Sequence, residues 1–184
     1  MIAIIFAKKS QRLVGKHNMD ICGERLIERV SRIVIESHLF KETVLFTKDS
    51  SLISKYCRIE IDRTDGILID SILYCLEKHK EFLAVGGDMP YIDYSLIDNI
   101  IKKYSGTPIT YIAEGFYQPL FTVYNNKLYN PMNKYRAGGG ESISEFLRTS
   151  AVETLNTGSE KLKSINYISD LEQARKILCA NNTD

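Results

Sequence analysis

The sequence predicts a three-layer α/β/α fold on a mostly parallel sheet, within a single domain spanning residues 1–184. Two observations carry that expectation. Apolar runs of strand length alternate with segments whose apolar residues recur at helical spacing. The polar interruptions fall at the ends of the strands, where open α/β sheets build their ligand sites.

The first strand is Ile2-Ala3-Ile4-Ile5-Phe6, followed by a polar loop. Glu24 to His38 reads as a helix, with Leu26, Ile27, Val30, Ile33 and Val34 on one face. Thr43 to Thr47 is the second strand, Ser51 to Tyr56 a short helix, and Arg58 to Ile61 the third strand. Leu68, Ile72, Cys75, Leu76 and His79 form the next helical stripe, leading into the strand Phe82 to Val85. Leu96, Ile97, Ile100, Ile101 and Tyr104 mark another helix. The regular alternation implies right-handed βαβ units.

From Thr107 the texture changes. Ile109 to Ala113 and Leu120 to Tyr124 read as strands around a polar break, and a short helix opens at Ser142 after three glycines. Ser169 or Asp170 caps a last helix with Leu171, Ala174, Ile177 and Leu178 inward. This half reads as the edge of the same sheet, not as a second domain.

A formal net charge of +1 argues against a broad nucleic-acid surface or a polybasic membrane anchor. Cys22, Cys57, Cys75 and Cys179 are scattered, with no C-x-x-C pair and only three histidines, so neither a zinc site nor a disulfide framework is expected. The apolar start is too short for a signal-peptide core, and no run approaches a membrane span. A reduced, soluble, cytoplasmic domain is expected.

Three segments carry chemistry. Asp88-Met89-Pro90 follows the apolar run Phe82 to Gly87, which puts a carboxylate at a strand end, suited to a divalent metal that carries phosphates. Asp93 is better placed than Asp88 to cap the next helix, which leaves Asp88 without a structural duty. The loop Ala7-Lys8-Lys9-Ser10-Gln11-Arg12-Leu13-Val14-Gly15-Lys16 brings four basic side chains and a hydroxyl to the first strand's end, as a phosphate site or as a solvated loop. Asp62 ends the third strand, where an acid binds ribose hydroxyls or a base edge, or else caps a helix; Asp65 suits the cap better. Asn166 is a further oxygen ligand or a turn residue.

Taken together these segments resemble the molybdenum cofactor guanylyltransferase family (molybdopterin-guanine dinucleotide biosynthesis protein A). That family follows its first strand with Leu-Ala-Gly-Gly-x-Ser-x-Arg-Met-Gly and a lysine; this chain has Phe6-Ala7-Lys8-Lys9-Ser10-Gln11-Arg12 and Lys16. Asp88-Met89-Pro90-Tyr91 is similar to its Asp-x-Pro-[Phe/Tyr] motif, and Pro119-Leu120-Phe121-Thr122-Val123-Tyr124 to its Pro-Leu-[Phe/His]-Ala-[Val/Leu]-Tyr strand. Asn166 to Leu171 resembles the closing Asn-Thr-Pro-Glu-Asp-Leu.

The resemblance implies a Rossmann-like, GT-A-like fold of the nucleotide-diphospho-sugar transferase type. Residues 1 to about 106 would form a nucleotide-binding half and about 107 to 184 an acceptor-side half. It implies Mg²⁺-dependent transfer of GMP from GTP to molybdopterin or its metal-loaded form. Phe6, Ala7, Ser10, Lys16, Asp62 and Asp88 would bind the nucleotide; Thr47 stands where the family often has an asparagine near the base. Lys16 and Arg12 would act on the phosphates, and Asp88 with Asn166 would hold Mg²⁺. Gln118, Arg136 and the Gly138 to Ser142 loop are acceptor-side candidates.

The chain departs from that pattern where Lys8-Lys9 replaces the glycine pair in a loop one residue shorter. Arg12-Leu13-Val14-Gly15-Lys16-His17-Asn18 also resembles the Arg-x-Pro-Gly-Lys-x-Asn loop of sugar-acid cytidylyltransferases. The alternatives are therefore a CTP-dependent sugar-acid enzyme, a guanylyltransferase for a corrinoid phosphate, or a non-catalytic nucleotide-binding adaptor.

Overall fold

In a computed structural model that describes residues 1–180, the strands are β1 (Ile2–Ala7), β2 (Asp20–Ile21), β3 (Glu24–Arg25), β4 (Thr43–Thr47), β5 (Arg58–Ile61), β6 (Glu81–Gly86), β7 (Ile109–Ala113), β8 (Phe116–Asn125) and β9 (Glu153–Asn156). The helices are α1 (Leu26–Glu36), α2 (Leu68–His79), α3 (Tyr94–Lys103), α4 (Tyr129–Ala137), α5 (Ile143–Thr149) and α6 (Ile168–Ala180). Seven strands form one sheet in the order β5-β4-β1-β6-β8-β7-β9, and β2 and β3 make a separate hairpin. The sheet is parallel except at β8, which runs antiparallel to both β6 and β7.

Alternation along the strands builds the layers. Ala3 and Ile5 of β1 face α1, α3 and α6 through Leu26, Ile97 and Leu171, while Ile4 and Phe6 face α2, α4 and α5 through Ile72, Met132 and Phe146. The expected three-layer, mostly parallel architecture is present. Asp93 caps α3 by accepting from the Leu96 amide at 3.0 Å, and Ser142 caps α5 in the same way through Glu145 at 3.2 Å.

Several local expectations are corrected. Glu24 and Arg25 pair with Ile21 and Asp20 as a hairpin strand, so α1 starts at Leu26; it ends at Glu36, before His38, whose φ is +56°. Ser51 to Tyr56 is no helix. There Asp49 takes the Ser51 amide, and Glu28 takes the Lys55 amide and the Ser54 hydroxyl, so side chains claim donors that a helix would use. Asp65 does not cap α2; Asp70 reaches back to the Ile67 amide at 2.8 Å. A Cβ on Gly66 would lie 1.8 Å from that Asp70 carboxylate, so the turn requires glycine. Ile177 is exposed instead of inward, and β9 and α4 were not expected.

The cysteine expectation is also overturned. Cys22 in the β2–β3 turn and Cys179 in the last turn of α6 form a disulfide, their Cα atoms 5.3 Å apart across 157 residues of sequence. Spacing along the chain carries no trace of such a pairing, because only the packing of α6 on the hairpin brings the two together. Arg175 adds a hydrogen bond from Nε to the Asp20 carbonyl, 2.9 Å. Cys57 and Cys75 are free thiols.

Candidate active site

The parallel strands β1, β4, β5 and β6 all end at one edge of the sheet, and a pocket of about 240 Å³ opens there. One end is ionic, lined by Lys8, Lys9, Ser10, Lys16, His17 and Asp88. The other, at the β4 and β5 side, mixes Phe46, Ile67 and Leu68 with Thr47, Lys48, Asp62 and Ser71, and Leu120 of β8 completes the lining. Phe6 and Ala7, the last residues of β1, lie between them.

Close backbone approach fixes the ionic end. The Gly87 amide donates to the Phe6 carbonyl at 2.9 Å, and a Cβ on Gly87 would lie 2.9 Å from Ile27 Cδ1 and 3.2 Å from that carbonyl. A side chain there would press on Ile27 and on the Phe6 carbonyl, so glycine eases the approach of the β6 turn to β1. Gly15, at φ +72°, turns the basic loop into the short helical turn that carries Lys16.

Lys16 is buried, its side chain 6% exposed against 19% for Asp88, and its Nζ donates both to Asp88 Oδ2 and to the Ile165 carbonyl at 2.8 Å. The Ile165 amide in turn donates to the Asp88 carbonyl at 2.8 Å. One ammonium thus ties the basic loop, the β6 turn and the segment entering α6. Asp88 lines the pocket, and its Oδ1 accepts no hydrogen bond among the described residues.

His17 is buried beside this pair. Burial pushes its pKa down to about 4, Lys16 pushes the same way, and the Asp88 and Asp49 carboxylates oppose them. Its imidazole is neutral at pH 7.

At the β4 and β5 side, Thr47 donates from Oγ1 to the Ala7 carbonyl at 2.6 Å. Asp62 spends its carboxylate on its own loop: Oδ1 accepts from the Thr64 amide and hydroxyl at 2.9 and 2.7 Å, and Oδ2 accepts from Ser71 at 2.6 Å. Lys48 clamps the same loop from the other side.

Phe6, Ala7, Ser10, Lys16, Asp62 and Asp88 are therefore brought together, as the sequence suggested. Arg12 is not in the lining; its guanidinium lies 5.8 Å from the centre of the Tyr167 ring. Asn166 also lies outside the lining, one residue from Ile165, with its amide on Asp170. Arg136 pairs with Asp70, and Gln118 donates to the Phe116 carbonyl. Sequence reading assigned no role to Lys48, His17 or Ser71. For Lys48 a signal existed, since it follows β4 directly at the same strand-end edge as Asp88.

A family model described as a MobA-like NTP transferase domain matches residues 2–154. The probable molybdenum cofactor guanylyltransferase of Natranaerobius thermophilus is 29% identical over 199 residues, spanning 96% of this chain and 95% of its own. Among solved structures, molybdopterin-guanine dinucleotide biosynthesis protein A of Archaeoglobus fulgidus matches with a TM-score of 0.73 at 19% identity, covering 98% of this chain and 100% of its own. A CMP:2-keto-3-deoxy-manno-octonic acid synthetase complexed with CTP also reaches 0.73, at 14% identity over 98% of both chains, and shares the fold. With the match running from β1 into β9, the chain belongs to the MobA-like NTP transferase family and is a nucleotidyltransferase.

Proposed function

We propose that the protein transfers GMP from GTP to the phosphate of molybdopterin and releases pyrophosphate. One observation carries this reading: a single pocket of about 240 Å³ joins the mixed lining at the ends of β4 and β5 to an ionic end where Lys16 and Asp88 meet. The similarity to the Natranaerobius guanylyltransferase supports the choice of GTP and of molybdopterin.

An oxygen of the acceptor phosphate attacks the α-phosphorus in line. The new oxygen–phosphorus bond forms as the bond to the β-phosphate oxygen breaks, and pyrophosphate leaves with the electron pair. Catalysis is then largely positioning and charge neutralisation. Lys8, Lys9 and Lys16 supply positive charge at the phosphate end, in place of the close backbone approach that a glycine pair would allow. Ser10, already in the lining, offers a hydroxyl.

The donor set at Asp88 fits Mg²⁺ shared with the substrate: one carboxylate with an uncommitted oxygen, the rest of the shell coming from phosphate and water. Asn166 stands one residue from the Ile165 contact to Asp88 and is the second candidate ligand. Bound there, the metal would polarise the α-phosphate.

A cytidylyl reading has one observation in its favour, the Arg12 to Asn18 loop. Incubation with GTP or CTP, Mg²⁺ and molybdopterin, read by pyrophosphate release and product mass, separates the two. The guanine dinucleotide with stoichiometric pyrophosphate is the expected result. Turnover with CTP and a sugar acid but not with GTP and molybdopterin would refute the proposal.

A further inference from the structure

Two side chains of α1 meet the chain on either side of Asp88. Ile27 Cδ1 stands 2.9 Å from where a Cβ on Gly87 would lie, and Arg29 Nε donates to the Pro90 carbonyl at 2.9 Å. Pro90 is buried, and proline has no N–H, so its carbonyl is the one backbone group by which it can be tethered. A buried carbonyl needs a donor, and this one finds a side chain 61 residues away in sequence.

Nothing in the chemistry described above uses Arg29. It is half-buried and makes no salt bridge among the described residues; Glu24, whose charge it feels, is taken up by Arg32 at 3.0 Å. Before Asp88, the Gly87 amide ties the turn to β1, and at Asp88 the Ile165 amide holds the carbonyl. After Asp88, the Met89 amide only folds back on the Gly86 carbonyl of the same turn at 3.3 Å. The next hydrogen bond to another element is the one from Arg29.

We propose that Arg29 is a positioning residue, whose hydrogen bond to Pro90 fixes the turn so that the Asp88 carboxylate meets a divalent cation carried by the nucleotide phosphates. The inference rests on the metal-dependent reading of the pocket and adds to it a group that touches neither metal nor substrate. Outer partners that orient a metal ligand contribute about 10- to 100-fold in metal affinity.

The test compares wild type with Arg29→Met and Arg29→Gln. Methionine keeps the apolar stem and puts a methyl where Nε stands, whereas glutamine puts an amide N–H donor at that same position along the side chain. Mn²⁺ binding beside GTP or CTP, whichever binds more tightly, is read by electron paramagnetic resonance and needs no turnover. Binding of the same nucleotide in EDTA reads the pocket without metal. Arg29→Met is expected to bind Mn²⁺ about tenfold more weakly or worse, with nucleotide affinity in EDTA unchanged. Arg29→Gln is expected to recover most of the loss.

Unchanged Mn²⁺ binding in Arg29→Met overturns the proposal, as does a wild type that binds no Mn²⁺ beside the nucleotide. A fall of equal factor in EDTA makes Arg29 a packing residue only and overturns it too, and so does an Arg29→Gln variant no better than Arg29→Met. Mn²⁺ binding that depends on Arg29, in a protein that releases no pyrophosphate with molybdopterin or a sugar acid, would refute the transfer reading while upholding this one.

Discussion

Removing either partner of the Lys16–Asp88 pair tests how the ionic end is held, because the two are buried unequally. Asp88→Ala strands an ammonium whose side chain is 6% exposed, with only the Ile165 carbonyl left to accept from it. Breaking a buried pair in this way costs about 3–5 kcal/mol. Lys16→Met removes the charge and keeps the volume, and the carboxylate left behind is 19% exposed, so water reaches it. That loss is expected to be about 1–2 kcal/mol. The double variant should cost little more than Lys16→Met alone, so the coupling nearly equals the cost of Asp88→Ala, at least about 3 kcal/mol. For a domain of this size each kcal/mol moves the midpoint by about 2–4 °C, so Asp88→Ala should melt roughly 10 °C lower. Urea and thermal unfolding of the four proteins measure the cycle, and pyrophosphate release should fall by orders of magnitude in each variant. Equal, additive losses from the two single variants would show that the pair is not formed in solution, and the reasoning would fail.

His17 makes stability depend on pH. Its folded pKa of about 4 lies below its unfolded value of 6.5, so between those values the unfolded chain binds more protons. Stability is therefore full above pH 6.5 and declines as pH falls toward 4, by about 3 kcal/mol from this group. His17→Asn should flatten the difference between urea midpoints at pH 7 and pH 4.5. Cys179→Ser opens a link across 157 residues and should lower stability by about 2–4 kcal/mol, measurable by denaturant titration under non-reducing conditions. Wild type in excess dithiothreitol should match the variant; no change in either would show that the link is not formed.

What was legible in the sequence follows from where the fold writes its constraints. Parallel strands are covered on both faces, so β1, β4 and β6 read as continuous apolar runs, and the residues ending them were found from the run ends alone. Asp88 was therefore visible as a candidate, and Lys16 through the basic loop and the family resemblance, but their contact was not, since it depends on a turn closing across β1. The edge strand β9 is short and mostly exposed, and α4 carries Pro131 and buries only Met132, so neither displays a periodic stripe. Position offered Asp62 as a ligand or a helix cap; in the fold it lines the pocket while its carboxylate accepts from Thr64 and Ser71, contacts no pattern announces. Such local competition is settled by rotamers that a one-dimensional pattern does not encode.

The antiparallel strand β8 has a consequence for how the protein is made. Residues 1–106 contain β5, β4, β1 and β6 with α1, α2 and α3, so the parallel part of the sheet precedes β8 in the order of synthesis, while α4, α5 and α6 follow it. Until residues 116–125 follow, β6 has no neighbour on one side, and its Phe82 to Val85 backbone is an open apolar edge. Such an edge recruits strands from other chains. Leu120, which lines the pocket, arrives on the same strand that closes it. During synthesis, protection from aggregation and completion of the strand-end pocket are thus one event, delayed until β8 has emerged.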